Sequence, residues 1–169
     1  MGKINNVVSN SGPLIHLAQV NYFKILNIIK NIYMTHEVFD EVCSFDLPGR
    51  DEVKKSKIIK IKSLNHKAKD FSNLLSQKYS LDLGEATSIS LAKQEKIKLF
   101  LTDDLSARVV SDELGLEVHG TVGIVLRAFR EGAITKKESI EIIKKLYEES
   151  TMFITKNLVN YIIKEIKKK

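Results

Sequence analysis

Apolar positions along the chain change period several times, and each change marks an element. VVSN (7–10) is a β-branched run ending in turn residues and predicts a first strand. In SGPLIHLAQV, Ser11 and Gly12 can start a helix and Pro13 suits its first turn. NYFKILNIIKN continues with a helical apolar period, and IYMT (32–35) predicts a strand or extended stretch. HEVFDEVC (36–43) returns to helix, and LPGRDE predicts a turn before a short helix. KIIKIKS (57–63) alternates lysine and isoleucine at period two, the pattern of a strand with one wet face.

The second half is more regular. HKAKDFSNLLSQKY (66–79) predicts an amphipathic helix, and SLDLGEATSISLAKQEK a loop and then a helix starting near Asp82 or Gly84. KLFLT (98–102) is the most continuous buried strand. DDLSARVVSDELGL opens a helix that Gly115 closes, LEVHG (116–120) is a short strand, and TVGIVLRAFREG is a helix closed by Gly132. TKKESIEIIKKLYEES and TKNLVNYIIKEIKKK predict two more helices, each apolar on one face. Strands alternating with helices predict an α/β sandwich with a mainly parallel sheet. The expected organisation is a domain over 1–150, with 151–169 a helix packed on it or extending it. Ligands of such sheets bind beyond the carboxyl ends of the strands, near a switch in strand order. The chemistry is therefore expected where VVSN and LFLT end.

Length and charge narrow the picture. At 169 residues the chain is expected to be one ordinary domain, or one domain with a small appendage, able to bury roughly 70% of its unfolded surface without disulfides. Its single cysteine, Cys43, has no internal partner and fits a reducing interior. MGKINNVVSN lacks the charged-then-apolar pattern of a signal peptide, and Asn6 stands where a myristoylation motif needs Ser or Thr. No apolar run approaches the ~20 residues of a membrane helix, so a soluble, cytoplasmic protein is expected. The net charge of +6 favours a polyanionic partner, nucleic acid first, although many lysines are explained by solvated helix faces.

The acids carry the chemistry. In LFLTDD, a helix N-cap explains one of Asp103 and Asp104, at ~1 kcal/mol. The second then lies near like charge at the sheet rim, and a hard cation such as Mg²⁺ or Mn²⁺ is the simplest relief. Glu85 opens GEATSISLA, where the helix dipole also accounts for a carboxylate. Glu41 borders the Val38–Val42 face of its helix, and taken alone it reads as solvated. Asn10 closes the first strand, with a cap or turn as its plain role. The Thr102 hydroxyl is placed to orient a carboxylate or a water. His16, His36, His66 and His119 show no metal-ligand spacing, and Ser11 has no His–Asp partners of a nucleophile. No GxGxxG follows VVSN, which argues against a dinucleotide site. A phosphoacceptor receiver needs an acidic pair after the first strand, and VVSN supplies none.

VVSNSGPLIHLAQV, THEVFDEV, LDLGEATSISLA, LFLTDDLSARVVSDELGLEVHGTVGIVLRA and, more weakly, ESTMFITKNLVNYIIKEI together resemble the PIN-domain family of metal-dependent nucleases. The likeness is greatest to a PIN-like branch of small archaeal and bacterial proteins related to VapC-type toxins. The resemblance implies a three-layer α/β/α Rossmann-like sandwich. It also implies a ribonuclease whose acidic cluster holds Mg²⁺ or Mn²⁺ and acts on single-stranded or structured RNA. Relatives of this kind often dimerise and pair with a small antitoxin, so a homodimer, an antitoxin partner and a toxin role are expected. By the same resemblance Asn10, Glu41, Glu85, Thr102, Asp103 and Asp104 form the catalytic set. Asn10, Glu85, Asp103 and Asp104 are the expected metal ligands. Position 10 departs from most catalytic members, which carry Asp there. The amide oxygen of Asn10 still ligates a hard cation but brings no charge, which implies weaker metal affinity and water activation.

Overall fold

Val7 and Val8, adjacent on strand β1 (Ile4–Ser9), point to opposite faces of the sheet, and both are fully buried. A strand covered on both faces is what a parallel sheet with helices on each side requires. The structure is a computed structural model describing residues 4–44 and 46–168. The first residues of the stretch read for a leader or myristoylation, and the last lysine of the basic tail, lie outside the described residues.

Strands β2 (Ile29–Met34), β3 (Ile59–Ile61), β4 (Leu99–Leu101) and β5 (Glu117–His119) join β1 in one five-stranded sheet. The order is β3-β2-β1-β4-β5 and every pairing is parallel. The helices are α1 (Ser11–Gln19), α2 (His36–Cys43), α3 (Arg50–Lys55), α4 (His66–Tyr79), α5 (Leu83–Gln94), α6 (Leu105–Glu113), α7 (Thr121–Arg130), α8 (Lys136–Glu148) and α9 (Lys156–Lys168). Val7, Leu99 and Leu101 share one core with α1, α2, α7, α8 and α9, whereas Val8 and Phe100 share another with α4, α5 and α6. The result is the three-layer α/β/α sandwich. Val159, Ile162 and Ile166 of α9 belong to the first of these cores, so the C-terminal helix packs on the domain. No helix among the described residues is long and apolar enough to cross a membrane.

Two stretches differ from the expectation. NYFKILNIIKN is not an α-helix: Phe23–Ile28 forms a 3₁₀ turn and Ile29 already belongs to β2, paired with Ile4. Ile25, Leu26, Ile28, Ile29 and Ile32 are all buried, and such a spacing fits a helix or a buried strand equally until pairing decides. The strand expected over 57–63 shrinks to Ile59–Ile61 at the sheet edge, with Lys60 and Ile61 both exposed. An edge strand has a neighbour on one side alone, and little covers it. Gly115 and Gly132 close α6 and α7 at φ +75° and +73°, the left-handed conformation that glycine adopts without strain.

With β2 on one side of β1 and β4 on the other, successive connections leave β1 in opposite directions. A crevice opens at such a switch, above the carboxyl ends of β1 and β4. The Asn10 N–H donates to the Leu101 carbonyl at 3.1 Å and fixes the two strand ends together.

Candidate active site

The floor of the crevice is built by two buried polar residues. Asn10 follows β1 at the N-cap position of α1, without a side-chain capping bond, and Thr102 follows β4. Asn10 Nδ2 donates to Thr102 Oγ1 at 2.7 Å, and the Asp104 N–H donates to the same oxygen at 3.1 Å. Thr102 thus ties the end of β1 to the start of α6. With its nitrogen committed, Asn10 leaves Oδ1 buried and without a hydrogen-bond partner among the described residues. A buried carbonyl oxygen in that state costs about 1–3 kcal/mol.

Asp104 caps α6, with Oδ1 accepting the Ala107 N–H at 2.7 Å. Its carboxylate comes within hydrogen-bonding reach of Glu85 in the first turn of α5. Glu85 Oε2 in turn accepts the Asp82 N–H at 3.0 Å, which orients the side chain along the helix entrance. Burial pushes the Glu85 carboxyl up to about 7; the Asp82 N–H opposes this, and the charges of Asp104 and Asp82 add to the rise. Two carboxyl groups facing each other at the sheet rim must share a proton or a cation.

Glu41 reaches the crevice from the last turn of α2. Its stem is exposed, but its carboxylate lies against the backbone of Gly84, so closely that a Cβ on Gly84 would stand 2.3 Å from Glu41 Oε1. Burial raises the Glu41 carboxyl above the usual range, the Asp82 and Glu37 charges add to the rise, and hydrogen bonds from Ser11 and Gly84 oppose it.

Asp103 behaves differently from its neighbour. Its Oδ1 accepts the Thr121 N–H at 2.7 Å, and its Oδ2 accepts the Thr121 hydroxyl at 2.5 Å and pairs with His16 Nδ1 at 2.7 Å. Burial works to raise the Asp103 carboxyl, but the hydrogen bonds from His16 and Thr121 outweigh it and hold the group below the ordinary range. Both oxygens are therefore committed to α1 and α7, the contacts of an anchor. Asp103, expected among the metal ligands, has both oxygens bound by donors of the chain itself.

The structure accordingly brings Asn10, Thr102, Glu85 and Asp104 into one crevice, with Glu41 at its side and Asp103 holding the helices around it. Asn10 Oδ1, the free Asp104 oxygen and Glu85 are oxygen donors of the kind a hard cation takes. Among the described residues, no three His, Cys, Asp or Glu side chains stand close enough to cage an ion by themselves. An ion such as Mg²⁺ retains several waters and needs few protein ligands, so this sparse set fits it.

Four contributors were not legible as site residues. Gly84 makes room for Glu41, and His16 and Thr121 fix Asp103. Arg108 donates to the Thr102 carbonyl at 3.4 Å beside Gly120. The sequence signal for Thr121 is a threonine after HG at a helix start, and for Gly84 a glycine directly before the helix acid.

A family model described as a PIN domain matches residues 6–168. No curated protein and no solved structure gives a significant match.

Proposed function

The chain belongs to the PIN-domain family, a nuclease-type family, and from that premise we propose that it is a Mg²⁺- or Mn²⁺-dependent endoribonuclease acting on single-stranded or structured RNA. One observation carries the reading. The unpartnered Asn10 Oδ1 is linked through Thr102 to Asp104, and Asp104 faces Glu85, a carboxyl pair with no cationic side chain within 4.0 Å among the described residues. Asn10, Glu85 and Asp104 would hold the ion, with Glu41 reaching it through water. When bound, the ion would acidify a water and offset charge on the phosphate. Glu41 takes the proton from the attacking water, its raised carboxyl being suited to that task. Thr102 keeps Asn10 and the Asp104 backbone in register. Asp103 holds α1 at the rim through His16 in its last turn, and the start of α7 through Thr121. Basic side chains, in excess by +6, hold the RNA backbone without reading sequence.

The reading extends to a cytoplasmic toxin that pairs with a small antitoxin and forms a homodimer. Its support there is the resemblance to VapC-type relatives.

A second reading, favoured by Asn10 in place of an aspartate, is a module that binds RNA without cutting it. Incubation with a mixed single-stranded RNA pool separates the two. The nuclease reading expects Mn²⁺-dependent cleavage that EDTA and Asp104→Asn each abolish. Cleavage surviving both rejects the proposed site. Salt-dependent binding with no cleavage under any divalent metal selects the second reading.

A further inference from the structure

Beside the acid crevice lies a groove of about 610 Å³, which runs from Asp103 along α6 and α7 to the segment joining α8 to α9. This volume falls within the ~300–1,000 Å³ typical of pockets for small organic groups. Its wall is largely apolar, and its rim exposes two large side chains, Phe153 at 90% and Leu105 at 73%. Phe153 is held there rather than left on a loose chain. The next residue, Ile154, is buried in the core, the Thr151 N–H donates to Gln19 Oε1 at 2.9 Å, and the Met152 N–H donates to Ser150 Oγ at 3.2 Å.

The charges of the groove are unequal. Its carboxylates already have partners within the chain, Asp103 in His16 Nδ1 at 2.7 Å and Glu165 in Lys168 at 2.5 Å. Its guanidinium groups, Arg108 and Arg130, have no carboxylate within 4.0 Å among the described residues. Arg108 sits at the inner end, where the groove meets the crevice. An exposed aromatic ring on an anchored backbone, at the rim of an apolar slot, suits the face of a nucleobase, and guanidinium groups without a carboxylate partner along the slot suit phosphates. A protein partner would need acids spaced to meet both arginines. A single nucleic-acid strand supplies a phosphate at every residue.

We propose that this groove is the nucleobase subsite of the enzyme. Bases flanking the cleavage point stack on Phe153, and Arg108 and Arg130 hold the phosphates between them. The inference rests on the nuclease reading for the direction in which the strand leaves the crevice; binding itself needs no turnover.

Fluorescence anisotropy of a short labelled single-stranded RNA, with Ca²⁺ in place of Mn²⁺, tests it. Removing one stacked ring is expected to weaken binding roughly 5- to 150-fold, the equivalent of ~1–3 kcal/mol per base. Phe153→Ala should show that loss, and Phe153→Tyr should restore binding. An abasic RNA should bind the unmutated protein as weakly as intact RNA binds Phe153→Ala, with no further loss when the two are combined. Arg108→Ala should weaken binding and flatten its salt dependence. Binding unaffected by Phe153→Ala or by base removal overturns the proposal, as does the absence of RNA binding. So does a change in sedimentation of Phe153→Ala with RNA binding intact, which makes the groove a protein contact. Mn²⁺-dependent hydrolysis of bis(p-nitrophenyl) phosphate by the unmutated protein reports the metal site separately. If that fails while base-dependent binding holds, the nuclease reading falls and the groove stands. If it succeeds while Phe153→Ala leaves RNA binding intact, the groove falls and the nuclease stands.

Discussion

Asp103 and Asp104 are consecutive residues whose carboxylates serve different helices: Asp103 is bound by Thr121 of α7 and His16 of α1, and Asp104 by Ala107 of its own α6. Their asparagine variants should therefore fail differently. In Asp103→Asn an amide nitrogen must face the donors of Thr121 or His16, and the lost charge-assisted bond costs ~1.5–3 kcal/mol in a urea titration. In Asp104→Asn the cap survives, because Asn caps as well as Asp, so the fold keeps its stability while Mn²⁺ binding falls at least roughly tenfold, or ~1.4 kcal/mol. Greater instability in Asp104→Asn than in Asp103→Asn would reverse the assignment.

Gly84→Ala is expected to damage the site and spare the fold. The new methyl collides with the Glu41 carboxylate, the far end of a flexible side chain, which swings out toward solvent. Alanine favours a helix over glycine by up to ~1 kcal/mol, so the melting temperature should hold or rise. Cleavage should fall to the level of Glu41→Gln, and the double variant should be no worse than either single one. A Gly84→Ala protein with full activity would show that Glu41 has no part in the reaction.

These contrasts mark how far sequence alone reaches. VVSN and KLFLT end in polar residues at a strand-order switch, so Asn10, Thr102 and the aspartates were legible as crevice residues. Which aspartate faces the crevice was not, because the partners of Asp103 lie 87 and 18 residues away. The Glu41–Gly84 contact is likewise tertiary: Glu41 borders the Val38–Val42 face of its helix, but nothing local to HEVFDEVC says what its carboxylate meets there. The 3₁₀ turn at Phe23–Ile28 escaped for the same reason: pairing of Ile4 with Ile29, not local period, decided it. The helix closures at Gly115 and Gly132 were legible because left-handed backbone leaves a residue-type signature.

Asn10→Asp should tighten the metal site. The Thr102 hydroxyl, which now accepts from Asn10 at 2.7 Å, can rotate to donate to the new carboxylate while still accepting the Asp104 N–H. The added charge joins Asp104 and Glu85, and ligand charge sets affinity in such sites. An increase of roughly tenfold in Mn²⁺ affinity by calorimetry, about 1.4 kcal/mol, is expected together with faster RNA cleavage. Without metal the variant should be less stable than the parent, since a third carboxylate meets the pair. Unchanged affinity would remove Asn10 from the ligand set.

The Glu85 carboxyl sits at about 7 in the folded protein against an ordinary 4.5, so without metal the folded state holds a proton that the unfolded chain releases. A group raised in this way contributes its stability fully below the unfolded value and loses it as pH rises through the folded one. Glu41 is shifted in the same direction, whereas Asp103 is lowered and loses its contribution only in stronger acid. Between about pH 5 and 7.5 the metal-free melting temperature should therefore fall as pH rises. Metal must displace the shared proton, so its affinity rises over the same interval. A Mn²⁺ concentration that gives ~2.7 kcal/mol, the value at a hundred times the dissociation constant, near pH 7.5 should give much less near pH 5.5. Glu85→Gln has no proton to lose: its metal-free melting curve should be flatter with pH, and its Mn²⁺ gain small throughout. A metal-free protein that grows more stable from pH 5.5 to 7.5, or equal Mn²⁺ shifts at both values, would contradict a proton-sharing carboxyl pair at the cation site.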